Sequence, residues 1–168
     1  MDTTAIPIST LFIGLNGLTA LVLSYIVVME RMRTRVWHGE SKEDVAMQPD
    51  PLANPTAWVS TVENTSQRLS VNKVNDEGIL QRKVRAHGNF AEYVPLGLMF
   101  IVVLELMHAQ TELVWLLGVT LTVARIVYAI GVITRYGPSI GRAIGFFGTW
   151  FVYIVGSSAC VYYGFKGL

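Results

Sequence analysis

Hydrophobic residues along the chain are gathered into four long segments that are separated by polar stretches. The segments cover about residues 6–32, 77–107, 111–136 and 139–166. A helix needs about 20 mainly apolar residues to cross the hydrocarbon core of a bilayer. Because lipid offers no hydrogen-bond partners, the backbone must be satisfied in a helix or a closed β-barrel, and none of the segments shows the strict alternation of a barrel strand. The pattern therefore predicts an all-α, integral membrane four-helix bundle with four transmembrane helices.

The longest polar stretch, residues 33–76, forms a loop between the first two segments, and a short helix is expected within it around Trp58–Leu69. The 168 residues suffice for a single domain spanning 1–168. Lysine and arginine are concentrated on one side, in this loop with its flanks and in the link after the third segment. Only Lys166 lies on the other side. Positive charge is retained in the cytoplasm, which predicts a cytoplasmic loop and termini on the lumenal or periplasmic side.

Composition supports a membrane location and argues against one class of partner. Hydrophobic residues make up 52% of the chain and charged residues 15%, against about 25% charged residues in typical soluble domains. A net charge of +1 does not provide the broad basic surface that nucleic acids require. The three histidines are scattered without metal-ligand spacing, so the sequence predicts no metal site.

Polar and charged residues in the second segment form a stripe. At about 100° per residue, Arg82, Arg85, Asn89, Glu92 and Tyr93 lie on one face of a helix. Ionisable groups in membrane helices are costly and usually functional. Guanidinium, amide and carboxylate groups together would bind a small zwitterion. The alternative interpretation is that Arg85 and Glu92 only neutralise each other between helices, and the residues alone do not separate these readings.

The third and fourth segments each carry an arginine of interest. Arg125 lies about midway along the third segment and shares a face with Tyr128. It needs a partner within protein, and Glu92 or a bound carboxylate would supply one. Arg142 begins the fourth segment, where an interfacial anchor is the simpler interpretation. Gly141 and Gly145 form a GxxxG pattern, which is typical of close helix packing.

Two stretches resemble a known family. The first is the run from Arg85 to Leu96, RAHGNFAEYVPL. The second comprises Arg125 to Tyr128, followed by the run from Arg142 to Phe146, RAIGF. These are similar to the membrane-associated proteins in eicosanoid and glutathione metabolism (MAPEG), which include the microsomal glutathione transferases. The resemblance covers about residues 5–32 and 77–166.

The resemblance implies a homotrimer that holds glutathione in a cytoplasm-facing cleft between neighbouring subunits. By position, it implies a catalytic Arg142 that stabilises the glutathione thiolate. Glutathione-binding roles are implied for Arg85, Asn89, Glu92, Tyr93, Arg125 and Tyr128, and for a helix-one arginine, Arg31 or Arg33, with Arg31 preferred. On the residues alone, Arg31, Arg33 and Arg35 are ordinary topology anchors.

The chain departs from the family pattern at two points. Seven residues after Arg125, where the eicosanoid synthases have a tyrosine, the chain has Val132, and Tyr136 is the nearest substitute. The first loop is also longer than is usual in the family. Both departures weaken any assignment to a particular eicosanoid activity.

The sequence thus predicts a membrane-bound, glutathione-dependent transferase or peroxidase. Glutathione is expected as co-substrate, with a lipophilic small molecule or lipid as the electrophile, delivered through the surrounding membrane lipids. The electrophile itself is not specified, because the apolar wall is generic leucine, valine and isoleucine. Two alternatives are a non-catalytic lipid-binding scaffold of the same fold and an accessory subunit of a larger membrane complex.

Overall fold

The computed structural model describes residues 5–39, 53–68, 78–135 and 139–168. These residues are helical apart from short connections, and they contain no β-strand. Tyr136, considered above as a substitute for the family tyrosine, lies outside the described residues.

Five helices follow one another along the described chain. They are α1 (Pro7–Thr34), α2 (Ala57–Arg68), α3 (Ile79–Leu106), α4 (Thr111–Thr134) and α5 (Ile140–Gly167). All except the short α2 are long and apolar enough to cross a membrane. At 1.5 Å per residue, even the 24 residues of α4 span about 36 Å, more than a hydrocarbon core of about 30 Å. The prediction of an all-α protein with four membrane-length helices is confirmed.

The bundle is centred on α3 and α4, each of which packs against all three other long helices. Its buried residues form two apolar clusters. One contains Leu117 and Leu121 of α4, and the other contains Ala129 and Val132, further along the same helix. Arg125 lies between these two clusters in α4 and is only 3% exposed. A buried charge therefore sits between two apolar layers.

Polar contacts fix the relative positions of α1 and α3 at both ends. The Glu105 carboxylate, near the end of α3, accepts hydrogen bonds from the backbone N–H groups of Ile8 (3.0 Å) and Ser9 (2.7 Å). These are among the N–H groups that the first turn of a helix leaves unpaired. At the opposite end, Lys83 Nζ lies 2.7 Å from the buried Glu30 carboxylate. The two helices are thus antiparallel.

α4 and α5 approach each other closely at the predicted GxxxG pattern. A Cβ added to Gly145 would lie 2.4 Å from the Cβ of Tyr128 and 2.6 Å from the carbonyl oxygen of Ala124. Only glycine fits at this position, because neither the neighbouring backbone nor a Cβ can move aside cheaply. The GxxxG pattern thus brings α5 against α4 within one subunit.

Candidate functional site

Arg125 is the centre of the candidate site. Its Nη2 donates a 2.8 Å hydrogen bond to the carbonyl oxygen of Gly145 on α5. Its guanidinium carbon lies 4.8 Å from the ring centre of Tyr128 and 5.3 Å from that of Tyr93 on α3. Three helices therefore contribute to the environment of one cation. We call Arg125, Tyr93, Tyr128 and Gly145 the Arg125 cluster.

The Arg125 cluster leaves the charge of its arginine incompletely compensated. Two aromatic faces each contribute about 0.5–2 kcal/mol to a nearby cation, whereas a buried ion without a counter-ion costs several kcal/mol. Within the described residues, Nε of Arg125 has no hydrogen-bond partner, and no carboxylate forms a salt bridge with Arg125. A bound anion would supply the missing compensation.

Of the two partners expected for Arg125, Glu92 forms no ion pair with it among the described residues, and a bound carboxylate stays a prediction. Glu92 and Arg85 are exposed, and Asn89 is half-buried. Neither an Arg85–Glu92 ion pair nor any other ion pair of these residues occurs in the described part of the chain. The reason is rotation about the helix axis: Tyr93 faces α4 and α5, while Glu92, one residue earlier, points out of the bundle. The predicted stripe is therefore divided: Tyr93 faces inward, Arg82 and Asn89 are half-buried, and Arg85 and Glu92 are exposed.

Arg142 lies in the first turn of α5 and is half-buried. Its backbone N–H donates to the Ser139 hydroxyl, which caps the helix (3.3 Å). A Cβ on Gly131 of α4 would lie 2.8 Å from the Arg142 backbone nitrogen, so this turn is held tightly against α4. The guanidinium group is thus attached to a fixed helix amino terminus, which carries a partial positive charge of its own.

The Arg31 side chain contacts the residues that follow its own helix. Its Nη1 donates to the carbonyl oxygens of Val36 (3.1 Å) and Gly39 (3.4 Å), just beyond the end of α1. Arg33 is 45% exposed at its side chain and lies 3.8 Å from Glu30. The structure does not bring either arginine into the Arg125 cluster. The contacts of Arg31 are those of a residue that closes the carboxyl end of a helix.

Arg82, which shares the predicted stripe, contacts the end of a neighbouring helix. Its Nε donates a 3.2 Å hydrogen bond to the carbonyl oxygen of Ile133 on α4. The last carbonyl groups of a helix have no intrahelical donor, and a basic side chain satisfies them well. Arg82 therefore stabilises the packing of α3 on α4 at the ends of these helices.

Val132, the departure from the family tyrosine, is part of the apolar core. It is 3% exposed and packs in the cluster that contains Leu23, Phe90 and Ala129. Since the side chain points between α4 and the helices α1 and α3, a valine here fills the interior of the bundle. It leaves the Arg125 cluster with two tyrosines, Tyr93 and Tyr128.

Sequence reasoning missed Tyr153 of α5. The Tyr153 hydroxyl donates to the backbone carbonyl oxygen of Tyr93 (2.8 Å), and the two rings lie 5.9 Å apart. A tyrosine in an apolar membrane helix usually finds a partner for its hydroxyl, and that was the only available signal. No group of histidine, cysteine, aspartate and glutamate that could hold a metal ion occurs among the described residues.

Comparison with known protein families places the chain beside one of them. The model of the MAPEG family matches residues 9–162, which include all of α3 and α4 and nearly all of α1 and α5. Comparisons with curated proteins and with solved structures found no match.

Proposed function

The chain belongs to the MAPEG family, and from this we propose that it is a membrane-bound, glutathione-dependent transferase or peroxidase acting on lipophilic electrophiles. Together with the four membrane-length helices, the family membership makes the chain a multi-pass integral membrane protein. The observation that supports a glutathione site most directly is the buried Arg125, which has an unpartnered Nε and no carboxylate counter-ion among the described residues.

In this proposal, glutathione binds between two subunits of a homotrimer. Arg85 and Glu92 are exposed on the subunit and Asn89 is half-buried, and the side chains of all three make no hydrogen bonds to described residues. Exposed charges in a membrane protein are costly, and a neighbouring subunit would cover them. A glutathione carboxylate would then pair with Arg85 at the subunit surface. Pairing with Arg125, which is 3% exposed, would require the side chains that cover it to move when the ligand binds. The glutathione ammonium group would pair with Glu92, and Asn89 would bind a peptide group of the ligand.

Catalysis would combine thiolate stabilisation with proximity. Arg142 and the helix amino terminus beside it would favour the glutathione thiolate, lowering the pKa of the thiol below its ordinary value near ~8.5. The thiolate sulfur would attack the electrophilic carbon of the substrate, form a carbon–sulfur bond and expel the leaving group. In the peroxidase reaction, two glutathione molecules would reduce a hydroperoxide to an alcohol and water and become glutathione disulfide.

The orientation proposed for the site follows from charge. Arg33, Arg35, Arg82, Lys83 and Arg135 lie at the same end of the bundle as Arg142, and Lys166 lies near the other end. By the positive-inside rule, the arginine-rich end faces the cytoplasm, which supplies glutathione. The apolar electrophile would arrive laterally from the bilayer.

A non-catalytic lipid-binding scaffold is the alternative with an observation in its favour. An apolar groove of about 300 Å³ lies between α1 and α3, lined by Ile13 and five residues of α3 that include Pro95 and Met99. Its lining contains no charged residue, and it would suit an acyl chain. The groove is lined by residues other than those of the Arg125 cluster, so it does not account for the buried cation.

Glutathione titration of the detergent-solubilised protein tests the proposal. Binding with growth of the thiolate absorbance band would support an enzyme, whereas binding without that band would favour the scaffold. S-Methylglutathione is the matched control, because it keeps the charged groups of glutathione but cannot form a thiolate. Absence of glutathione binding would overturn both the enzyme and the glutathione site.

A further inference from the structure

Tyr153 joins α5 to α3 at the level of Tyr93. Its hydroxyl donates a 2.8 Å hydrogen bond to the Tyr93 carbonyl oxygen. Its ring lies 5.9 Å from that of Tyr93 and meets the ring of Phe100 edge-on, at 5.7 Å and 86°. Close approach of the two helices is possible because residue 156 is glycine: a Cβ there would lie 2.9 Å from the Phe100 ring.

This contact lies beside an interruption in the hydrogen bonding of α3. Pro95 is inside the helix and has no N–H group, so it cannot donate to the carbonyl oxygen of Ala91, four residues earlier. The turn that carries Tyr93 is therefore held by fewer intrahelical bonds than an ordinary turn. The Tyr153 hydroxyl provides an additional bond from outside the helix, at the same turn.

Tyr93 is also the link from this turn to the buried cation, because its ring lies 5.3 Å from the Arg125 guanidinium carbon. Movement of the Tyr93 backbone would move the ring relative to Arg125. Arg125 itself is fixed from the other side by the Gly145 carbonyl oxygen. The orientation of Tyr93 against Arg125 therefore depends on two contacts with α5, one made by each residue.

We propose that Tyr153 is a positioning residue of the glutathione site, which holds Tyr93 in register with Arg125 through the hydrogen bond to the Tyr93 backbone. This inference rests on the function proposed above. The simpler alternative is that the Tyr93 carbonyl oxygen only satisfies a phenol that would otherwise be unpaired in the bundle. The two roles differ in what the loss of the hydroxyl changes.

Tyr153→Phe removes the hydroxyl and keeps the ring. If Tyr153 positions Tyr93, the KM for glutathione should rise about 2- to 12-fold, the range set by one neutral hydrogen bond. The kcat at saturating glutathione should stay within about twofold. A purely structural role would reduce the fraction of folded protein, which lowers the apparent kcat and leaves KM unchanged.

Tyr162→Phe is the matched control, because Tyr162 lies on the same helix, is 61% exposed and makes no side-chain hydrogen bond to described residues. Its KM should equal that of the wild type. A wild-type protein that neither binds nor turns over glutathione would overturn the proposed function. A wild type that is active, with Tyr153→Phe at wild-type KM, would overturn the positioning role alone.

A double-mutant cycle tests the route through Tyr93. Tyr93→Leu keeps the backbone carbonyl that Tyr153 contacts and removes the ring that lies against Arg125. If Tyr153 acts by placing that ring, Tyr153→Phe should change KM by less than twofold in the Tyr93→Leu background. Effects of the two substitutions that multiply independently would show that Tyr153 does not act through Tyr93.

Discussion

Arg125 donates its hydrogen bond to the carbonyl oxygen of Gly145, the residue of α5 at which any side chain would collide with α4. The two features depend on each other. A Cβ at position 145 would force the helices apart and remove the acceptor from the buried guanidinium group. The close helix approach thus makes the position of the cation possible.

Overpacking a well-packed interior costs about 1–3 kcal/mol, and the contact with the Ala124 carbonyl oxygen puts Gly145→Ala at the upper end. Alanine returns up to about 1 kcal/mol through its helix propensity, so the variant should be about 2 kcal/mol less stable. Gly164→Ala in the same helix is the control, since a Cβ there meets no atom within 4 Å and should leave stability unchanged or raised. Thermal melting in detergent measures both, and equal melting temperatures would contradict the close packing.

Glu92→Gln should weaken glutathione binding by about 1.5–3 kcal/mol, the scale of a hydrogen bond to a charged group. Because Glu92 is exposed and pairs with no described residue, little loss of stability is expected within the subunit. Glu112→Gln, which changes an exposed glutamate in the first turn of α4, should leave affinity unchanged. The measurement is a glutathione titration combined with thermal melting. Lower stability with normal affinity would show that Glu92 is only a contact between helices.

Arg142→Lys should lower turnover while the affinity for glutathione changes little. Lysine keeps the charge but loses the planar set of donors of arginine, and an interaction needed mainly by the thiolate and the transition state affects kcat. Arg135→Lys, an exposed arginine at the end of α4, is the control for an interfacial anchor. Steady-state kinetics decide the point, and an Arg142→Lys variant with full activity would favour the scaffold.

Mass measurement in detergent should give three copies of the chain. In a lone subunit, Arg85 and Glu92 remain exposed, whereas a trimer can cover them and complete the cleft. Native mass spectrometry or light scattering corrected for detergent provides the mass. A monomer that still turned over glutathione would exclude the shared cleft.

Accessible cysteines test the orientation. In a Cys160→Ala background, Asn64→Cys places an exposed thiol on α2, and Gln110→Cys places one in the link between α3 and α4. An impermeant thiol reagent outside intact cells should leave position 64 unlabelled, because the positive-inside rule puts α2 in the cytoplasm. If the protein lies in the plasma membrane, the link that carries position 110 faces the outside of the cell, and the thiol there should react. The reverse pattern would refute the orientation.

The sequence by itself determined the helices and the family. Lipid allows only helices or closed β-barrels to satisfy the polar groups of the backbone, and the four apolar segments lack the alternation of barrel strands. The structure ends these helices within two residues of the predicted bounds wherever it describes those residues. The run from Arg85 to Leu96 identified the family that the family model then matched. The helix positions and the family both depend only on which residues follow one another along the chain, and the sequence gives this in full.

Only the tertiary structure decided which side chains meet. Helical periodicity placed Glu92 and Tyr93 in one stripe, but the stripe is broad. Because successive residues of a helix are rotated by about 100°, the Tyr93 ring contacts Arg125 whereas Glu92 is exposed. Arg31 was satisfied by the loop beyond its own helix, Val132 entered the apolar core, and Tyr153 reached the Tyr93 carbonyl oxygen. The contacts of Arg125 and Tyr153 with α5 and α3 depend on how closely the helices pack, which the glycines at 145 and 156 allow by letting α5 approach its neighbours.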